Sequence, residues 1–207
     1  MEIIFFIAAY ILGSIPSAVW TGKLKYGIDI REHGSKNAGA TNTFRVLGKK
    51  PGIFVLALDI IKGSLATKLP YIFLADSVLY DSDYIIQIQI ICAFLVIIGH
   101  LFPLFAGFRG GKGVATSLGV IIGIQPIAAG ICLFVFLIVF LISRFVSLGA
   151  IFTAIAFPFV LKFIIKTDSL WLMSFGIVVS SLVIIAHRKN IQRLLRGEEN
   201  KMNFSKK

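Results

Sequence analysis

The sequence predicts an all-α integral membrane protein of about seven transmembrane helices, amino terminus outside and carboxyl terminus in the cytoplasm. Three observations carry the prediction. The mean hydropathy is +0.90, apolar runs of near-membrane length recur along the 207 residues, and basic residues gather in alternate connections. Hydrophobic residues make up 57% of the chain and charged residues only 15%, a balance that suits polytopic membrane proteins rather than soluble domains. At roughly 20 residues per span, 1–207 forms a single polytopic membrane domain, ending in a cytoplasmic interfacial tail over about 187–207.

The first apolar run, 3–22, has neither a basic leader nor a small-residue cleavage site and is expected to be a retained span. Further spans are expected over 52–75, 85–105, 114–125, 127–142, 148–165 and 169–186. The 114–125 run is too short to cross a hydrocarbon core of about 30 Å upright. It reads as a half-helix or re-entrant element, broken at Gln125-Pro126. The small residues of Gly13-Ser-Ile-Pro-Ser17 and Gly119 to Gly123 suit close helix packing.

Orientation follows from the cations. Segments 23–51 and 187–207 each hold seven Lys or Arg, 106–113 holds two and 143–147 one, whereas the opposite connections hold only Lys166. Segment 76–84 carries Asp76, Asp81 and Asp83 with no cation. The positive-inside rule therefore sets the basic connections in the cytoplasm. The formal charge of +11 lies at span boundaries, which fits membrane lipids or a phosphorylated substrate and not nucleic acid. Cys92 and Cys132 sit in apolar runs without Cys or His at metal-ligand spacing, so they read as small core residues and no metal site is expected.

Three polar islands lie on the cytoplasmic side. The first is Gly34-Ser-Lys-Asn-Ala-Gly-Ala-Thr-Asn-Thr-Phe-Arg-Val-Leu-Gly48. Its glycines permit turns, while Ser35, Asn37, Thr41, Asn42 and Thr43 offer hydrogen bonds to oxyanions. Lys36 adds charge, and Arg45 adds a fork that matches phosphate. An ordinary basic connection would need the charge but not this density of Asn, Ser and Thr.

The second island, Gly107-Phe-Arg-Gly-Gly-Lys-Gly-Val-Ala-Thr-Ser117, resembles a Walker A loop only superficially. Ala106 and Gly113 stand where that loop requires Gly and Ser or Thr. A glycine-rich turn before a helix nevertheless presents N–H groups and a positive dipole end to an anion. Gly111 and Gly113 shape the turn and Lys112 supplies a point charge; a loop with two snorkelling cations is the plainer alternative. The third island begins at His187, Arg188 and Asn190, and Ile191, Leu194 and Leu195 continue at the spacing of an interfacial helix. Ser143-Arg144, at the end of the fifth run, is a weaker candidate. Asp59 and Lys62, three residues apart inside the second run, read equally as a structural ion pair or as functional intramembrane charges.

At these residues the chain resembles the bacterial acyl-phosphate-dependent glycerol-3-phosphate acyltransferases, the PlsY family. The resemblance lies in the Gly34-Ser-x-Asn-x-Gly-x-Thr-Asn42 run with Arg45, and in Gly99-His-x-Phe-Pro103 leading to Gly-Gly-Lys-Gly-Val-Ala-Thr. It continues in Leu58-Asp-x-x-Lys-Gly63 and in His187-Arg-x-Asn190-x-x-Arg193-Leu. It implies transfer of a fatty acyl group from acyl phosphate to the sn-1 hydroxyl of glycerol 3-phosphate, giving lysophosphatidic acid and phosphate, at the cytoplasmic face of the bacterial inner membrane. It further implies that Ser35, Arg45, Lys112, Ser143, His187 and Asn190 bind the polar substrate or settle its reactive geometry. Gly39, Thr41 and Asn42, with Gly111 and Gly113 of the turn, would hold the acyl-phosphate head, and Asn37 belongs to the same motif.

The residues favour such chemistry on their own terms. The His-x4-Asp dyad of thioester-dependent acyltransferases is missing, since Ala38, Phe105 and Gln192 stand five residues after His33, His100 and His187. An acyl phosphate is already activated, so cations and hydrogen-bond donors suffice. No cofactor and no coenzyme A are expected. Either His187 or the phosphate of the acceptor takes the hydroxyl proton. Two other readings remain. A phosphate-ester or organic-anion transporter would use the intramembrane charges but lacks visible repeat symmetry, and an anionic-lipid binder would use the tail but leave the first island idle.

Overall fold

The computed structural model describes residues 2–75 and 81–202. Met1, Asp76 and the last five residues of the expected tail lie outside that range. The described residues form helices and no strand, in two compact units that meet in sequence at Ile124 and Gln125.

In the first unit, α1 (Glu2–Ser14) and α2 (Ser17–Tyr26) divide the first expected span, with a bend of 45° between them. Pro16 has no N–H to continue the ladder, and its ring blocks the preceding turn. A 3-10 turn at Ile30–Glu32 leads to α3 (Ala40–Leu47), followed by α4 (Lys49–Leu74), α5 (Ser82–Leu101) and α6 (Val114–Ile124). The second unit contains α7 (Pro126–Ser143), α8 (Val146–Phe159) with a π-helical continuation at Val160–Ile164, α9 (Leu170–Ala186) and α10 (Arg188–Leu195).

Helices occupy all seven expected runs. By length and composition three stretches can cross a membrane: Ser82–Ala106, Pro126–Ser143 and Val146–Ile164. The bent pairs α1 with α2 and α9 with α10 raise this to five. Helix α4 is set apart by Asp59, Lys62 and Lys68. Helix α6 is set apart by its length, since its 11 residues reach only about 16 Å. The broken fourth run is thus seen as expected, with Pro126 at the start of α7.

Within the first unit α4 packs chiefly on α6, and α1 on α5. Small residues make both contacts. A Cβ on Gly13 would strike the Val96 carbonyl, and one on Gly119 would strike that of Ile60. Backbones that approach this closely gain dispersion contacts that lipid tails cannot supply. In the second unit α8 packs on α7 and α9, and Phe157 meets Phe175 edge to face at 6.2 Å.

The break at Pro16 explains the charges inside α4. It leaves the Gly13 and Ile15 carbonyls turned out of the helix ladder, and Lys62 Nζ donates to both, at 3.1 and 2.9 Å. Asp59 neutralises Lys62 at 3.0 Å and accepts from Ser17 Oγ at 3.0 Å. Both side chains are buried, at 2% and 5% exposure for Asp59 and Lys62. The ion pair thus makes a structural joint between α1, α2 and α4.

Candidate active site

The first island rests on a small apolar core of Ala18, Val19, Ile30, Ala38 and Val55, with Ala40, Val46 and Leu47 packed on its edge. Complete burial of a side chain such as Ile30 stabilises by roughly 1.5–3 kcal/mol, which helps to anchor the segment. Gly34 and Lys36 take the left-handed conformation, at φ 60° and 58°, and turn the chain sharply on either side of Ser35. Asn42, 1% exposed, organises that turn. Its Nδ2 donates to the Ile30 and His33 carbonyls at 2.9 and 3.0 Å, and its Oδ1 accepts from Ser35 N at 2.8 Å. The Asn42 amide is therefore committed to holding Ser35 in place. Thr43 is likewise turned inward, donating to the Gly39 carbonyl at 3.2 Å. Ser35, Asn37, Gly39 and Thr41 are half-buried, and Arg45 on α3 is exposed.

The fold brings the first two islands together. Arg31 Nη1 donates to the Ala106 carbonyl at 2.7 Å, and a Cβ on Gly111 would lie 3.1 Å from the Ala38 carbonyl. Arg31 is itself set by a two-pronged contact with Asp29, Nε at 3.0 Å and Nη2 at 2.7 Å. That hydrogen bonding, above all, holds the Asp29 carboxyl well below its ordinary range, with Lys23 at 3.3 Å adding to it. The glycine turn hangs from the end of α5: Gly110 N donates to the Leu101 carbonyl and Gly111 N to that of His100, each at 3.1 Å. Gly113, at φ +79°, then turns the chain into α6, which starts at Val114. Half-buried Lys112 thus stands immediately before a helix start, as the sequence leads one to expect.

The third island belongs to the second unit. A 58° bend separates α9 from α10, and His187, 3% exposed, sits at that corner. Its Nδ1 lies 2.8 Å from the Val183 carbonyl. A carbonyl can only accept, so Nδ1 carries the proton and Nε2 is the basic nitrogen of the neutral ring. Asn190 Nδ2 donates to Glu199 Oε1 at 2.7 Å, Ser147 Oγ donates to the same oxygen at 3.0 Å, and Arg193 Nε donates to Oε2 at 2.7 Å. Burial acts to raise the Glu199 carboxyl, but these donors, Arg193 first, outweigh it and hold the group below its ordinary value. Ser143 Oγ donates to the Val139 carbonyl at 2.7 Å and accepts from Phe145 N at 3.1 Å. It thereby fixes the turn at Arg144, which takes φ 62°.

The sequence alone does not mark α3, which reads as a turn-rich stretch, nor Asp29, Arg31 and Glu199 as parts of the architecture; His100 stands in the Gly99-His-x-Phe-Pro103 motif without a task assigned to it. Glu199 had a signal: it is an acid within a basic tail, just beyond the residues of the third motif.

An all-helical membrane protein with polar loops and a lysine-bearing glycine turn at a helix start is the class that this fold and site define. A model of the family described as glycerol-3-phosphate acyltransferase matches residues 3–197. Glycerol-3-phosphate acyltransferase 2 of Bacillus cereus is 44% identical over 204 residues, covering 99% of this chain and 96% of the relative. The glycerol-3-phosphate acyltransferase of Chlorobaculum tepidum is 41% identical over 223 residues, covering 97% and 96%. The crystal structure of PlsY, an integral membrane glycerol 3-phosphate acyltransferase, in its glycerol 3-phosphate form, superposes with a TM-score of 0.87 at 37% identity, covering 98% of this chain and 96% of that one. Its lysophosphatidic acid form superposes at 0.84 and 36% identity, over the same shares of the two chains. The chain belongs to the glycerol-3-phosphate acyltransferase family.

Proposed function

We propose that this protein moves a fatty acyl group from acyl phosphate to the sn-1 hydroxyl of glycerol 3-phosphate, yielding lysophosphatidic acid and inorganic phosphate, the first acylation of phospholipid synthesis. The observation that carries this reading is the match along 98% of the chain to an integral membrane acyltransferase crystallised in a glycerol 3-phosphate form and a lysophosphatidic acid form. Those two molecules are the acceptor and the product of such a transfer.

Acyl phosphate is the donor that the chemistry favours. Its phosphate is a good leaving group, so the protein's task is to position the reactants and stabilise charge. The acceptor hydroxyl oxygen bonds to the acyl carbon while the bond from that carbon to the phosphate oxygen breaks. Phosphate leaves with the electron pair, and the hydroxyl proton passes to His187 Nε2 or to the phosphate of glycerol 3-phosphate. Ser35, Lys112 and His187 are assigned to the reacting groups. Arg45, with Asn37, Gly39, Thr41, Gly111, Gly113, Ser143 and Asn190, is assigned to substrate binding, and Asn42 serves the same end by fixing Ser35. The roles of Ser143, His187 and Asn190 rest on the resemblance. Neither coenzyme A nor a cofactor enters this scheme.

In this reading 1–207 works as one membrane domain in the bacterial inner membrane. Seven helical runs, the short fourth among them, build that domain, the amino terminus lies outside, and the reaction faces the cytoplasm. Purified protein supplied with acyl phosphate and glycerol 3-phosphate should form lysophosphatidic acid. Movement of a phosphate ester across vesicles without any acyl transfer would replace this reading with that of a transporter.

A further inference from the structure

His100 stands where two features of the first unit meet. It lies in the last turn of α5, 7% exposed, with Nδ1 3.6 Å from Asp59 Oδ1. That is a close contact, slightly beyond a direct hydrogen bond. The other edge of the ring abuts the glycine turn: a Cβ placed on Gly111 would collide with His100 Nε2. The backbone of the same residue holds the turn as well, since the His100 carbonyl accepts from Gly111 N at 3.1 Å. Asp59 in its turn is fixed by Lys62 and by Ser17 Oγ, each at 3.0 Å.

We propose that His100 is the positioning residue of the glycine turn: Asp59 orients its ring from one side, and the ring braces Gly111 from the other, so that Lys112 is presented at a fixed place. The buried joint at the break between α1 and α2 thereby sets the geometry of a loop at the end of α5. His100 does not touch the reacting atoms in this scheme. It acts through Lys112, and the kinetic part of the inference rests on the acyl transfer proposed above. The physical basis is that displacement of a catalytic group by about 1 Å costs up to about a hundredfold in rate, and glycine backbone has no side chain of its own to hold it.

The test uses His100→Asn. Asparagine keeps a donor near the position of Nδ1, so Asp59 retains its partner, but it lacks the ring edge that reaches Gly111. Two readouts are taken on the purified, monodisperse protein: initial rates with acyl phosphate and glycerol 3-phosphate, and amide hydrogen exchange over Gly110 to Gly113. The proposal expects kcat to fall roughly 10- to 100-fold, with the larger effect on kcat rather than on KM, and turn exchange to quicken roughly tenfold. It also expects non-additivity: Gly111→Ala should cost at least about fivefold less in the His100→Asn protein than in the native background, because the collision with His100 Nε2 has gone and only the 3.1 Å approach to the Ala38 carbonyl remains. Unchanged kcat or unchanged exchange in a folded His100→Asn protein overturns the proposal. Should that variant fail to fold, His100→Gln, which keeps an amide but no ring, takes the same two readouts with the same expected and overturning results. Faster exchange in His100→Asn while the unsubstituted protein forms no lysophosphatidic acid would uphold the brace and defeat the acyl-transfer reading.

Discussion

Ser35 illustrates how a fold fixes a polar loop residue in place. Its backbone is held by Asn42 Oδ1 at 2.8 Å, and the left-handed residues Gly34 and Lys36 flank it, so its position is set before any substrate arrives. The same logic makes Lys112 the most exacting residue of the glycine turn. Lys112→Ala should lower kcat by roughly 10²- to 10³-fold, the worth of one well-placed stabiliser of developing charge. Lys112→Arg should also be impaired, because a planar fork is not a compact ammonium. Steady-state kinetics on folded protein check both. Arg45→Ala should chiefly raise the KM for glycerol 3-phosphate, roughly 10- to 100-fold if a charged hydrogen bond to its phosphate is lost. An unchanged acceptor KM would remove Arg45 from that role. At this scale the sequence was an uneven guide. Arg45 and Lys112 stand out as candidates because charge and glycine context are local. Asn42 reads as a substrate ligand among Ser and Thr neighbours, yet its amide ties Ile30, His33 and Ser35 together, a task visible only when the loop is folded. Neither does spacing reveal that His100 joins Asp59 to Gly111, since those contacts span 41 and 11 residues and follow no helical period.

Among the elements, α4 carries the most consequential departure from a plain apolar helix. Its Lys62 caps carbonyls exposed by the Pro16 break, and Asp59 compensates the charge. Lys62→Met should therefore destabilise the fold by roughly 3–5 kcal/mol, the cost of leaving a buried charge without its partner. A denaturation midpoint equal to that of the native chain would contradict the joint. The clasp of Arg31 on Asp29 gives a pH prediction. Hydrogen bonding from Arg31 depresses the Asp29 carboxyl below its ordinary 3.8, so the clasp contributes fully above that value and is lost as pH falls through the depressed one. Arg31→Ala should accordingly remove part of the acid sensitivity of the loop between α2 and α3, measured by limited proteolysis across an acid titration. Element positions were legible in the sequence wherever an apolar run was bounded by Gly, Pro or charge, as at Gln125-Pro126. The bend within the first run was not, because Gly13-Ser-Ile-Pro-Ser17 reads as a small-residue packing surface and the runs on both sides of it stay apolar. Helix α3 escaped for the opposite reason: Gly39 and Gly48 punctuate it closely, and only its packing on the core under the first island makes it a helix.

For the whole molecule, the one-sided distribution of cations predicts an outside amino terminus and a cytoplasmic carboxyl terminus. Labels placed at the two ends should be reached by membrane-impermeant reagents from opposite sides of intact cells. Catalysis should run through a single ternary complex with no acyl-enzyme, because Cys92 and Cys132, at 0% and 1% exposure, are buried inside apolar helices away from the polar loops. Intersecting initial-rate lines and no retained acyl mass after incubation with acyl phosphate alone are the expected results. Parallel lines with a competent adduct on Ser35 would overturn the mechanism. The most direct measurement compares donors in one preparation of the purified protein with glycerol 3-phosphate. The account predicts that acyl phosphate yields lysophosphatidic acid and inorganic phosphate in equal amounts while acyl-coenzyme A yields almost none. Comparable turnover from the thioester, or lysophosphatidic acid formed without matching release of phosphate, would contradict it.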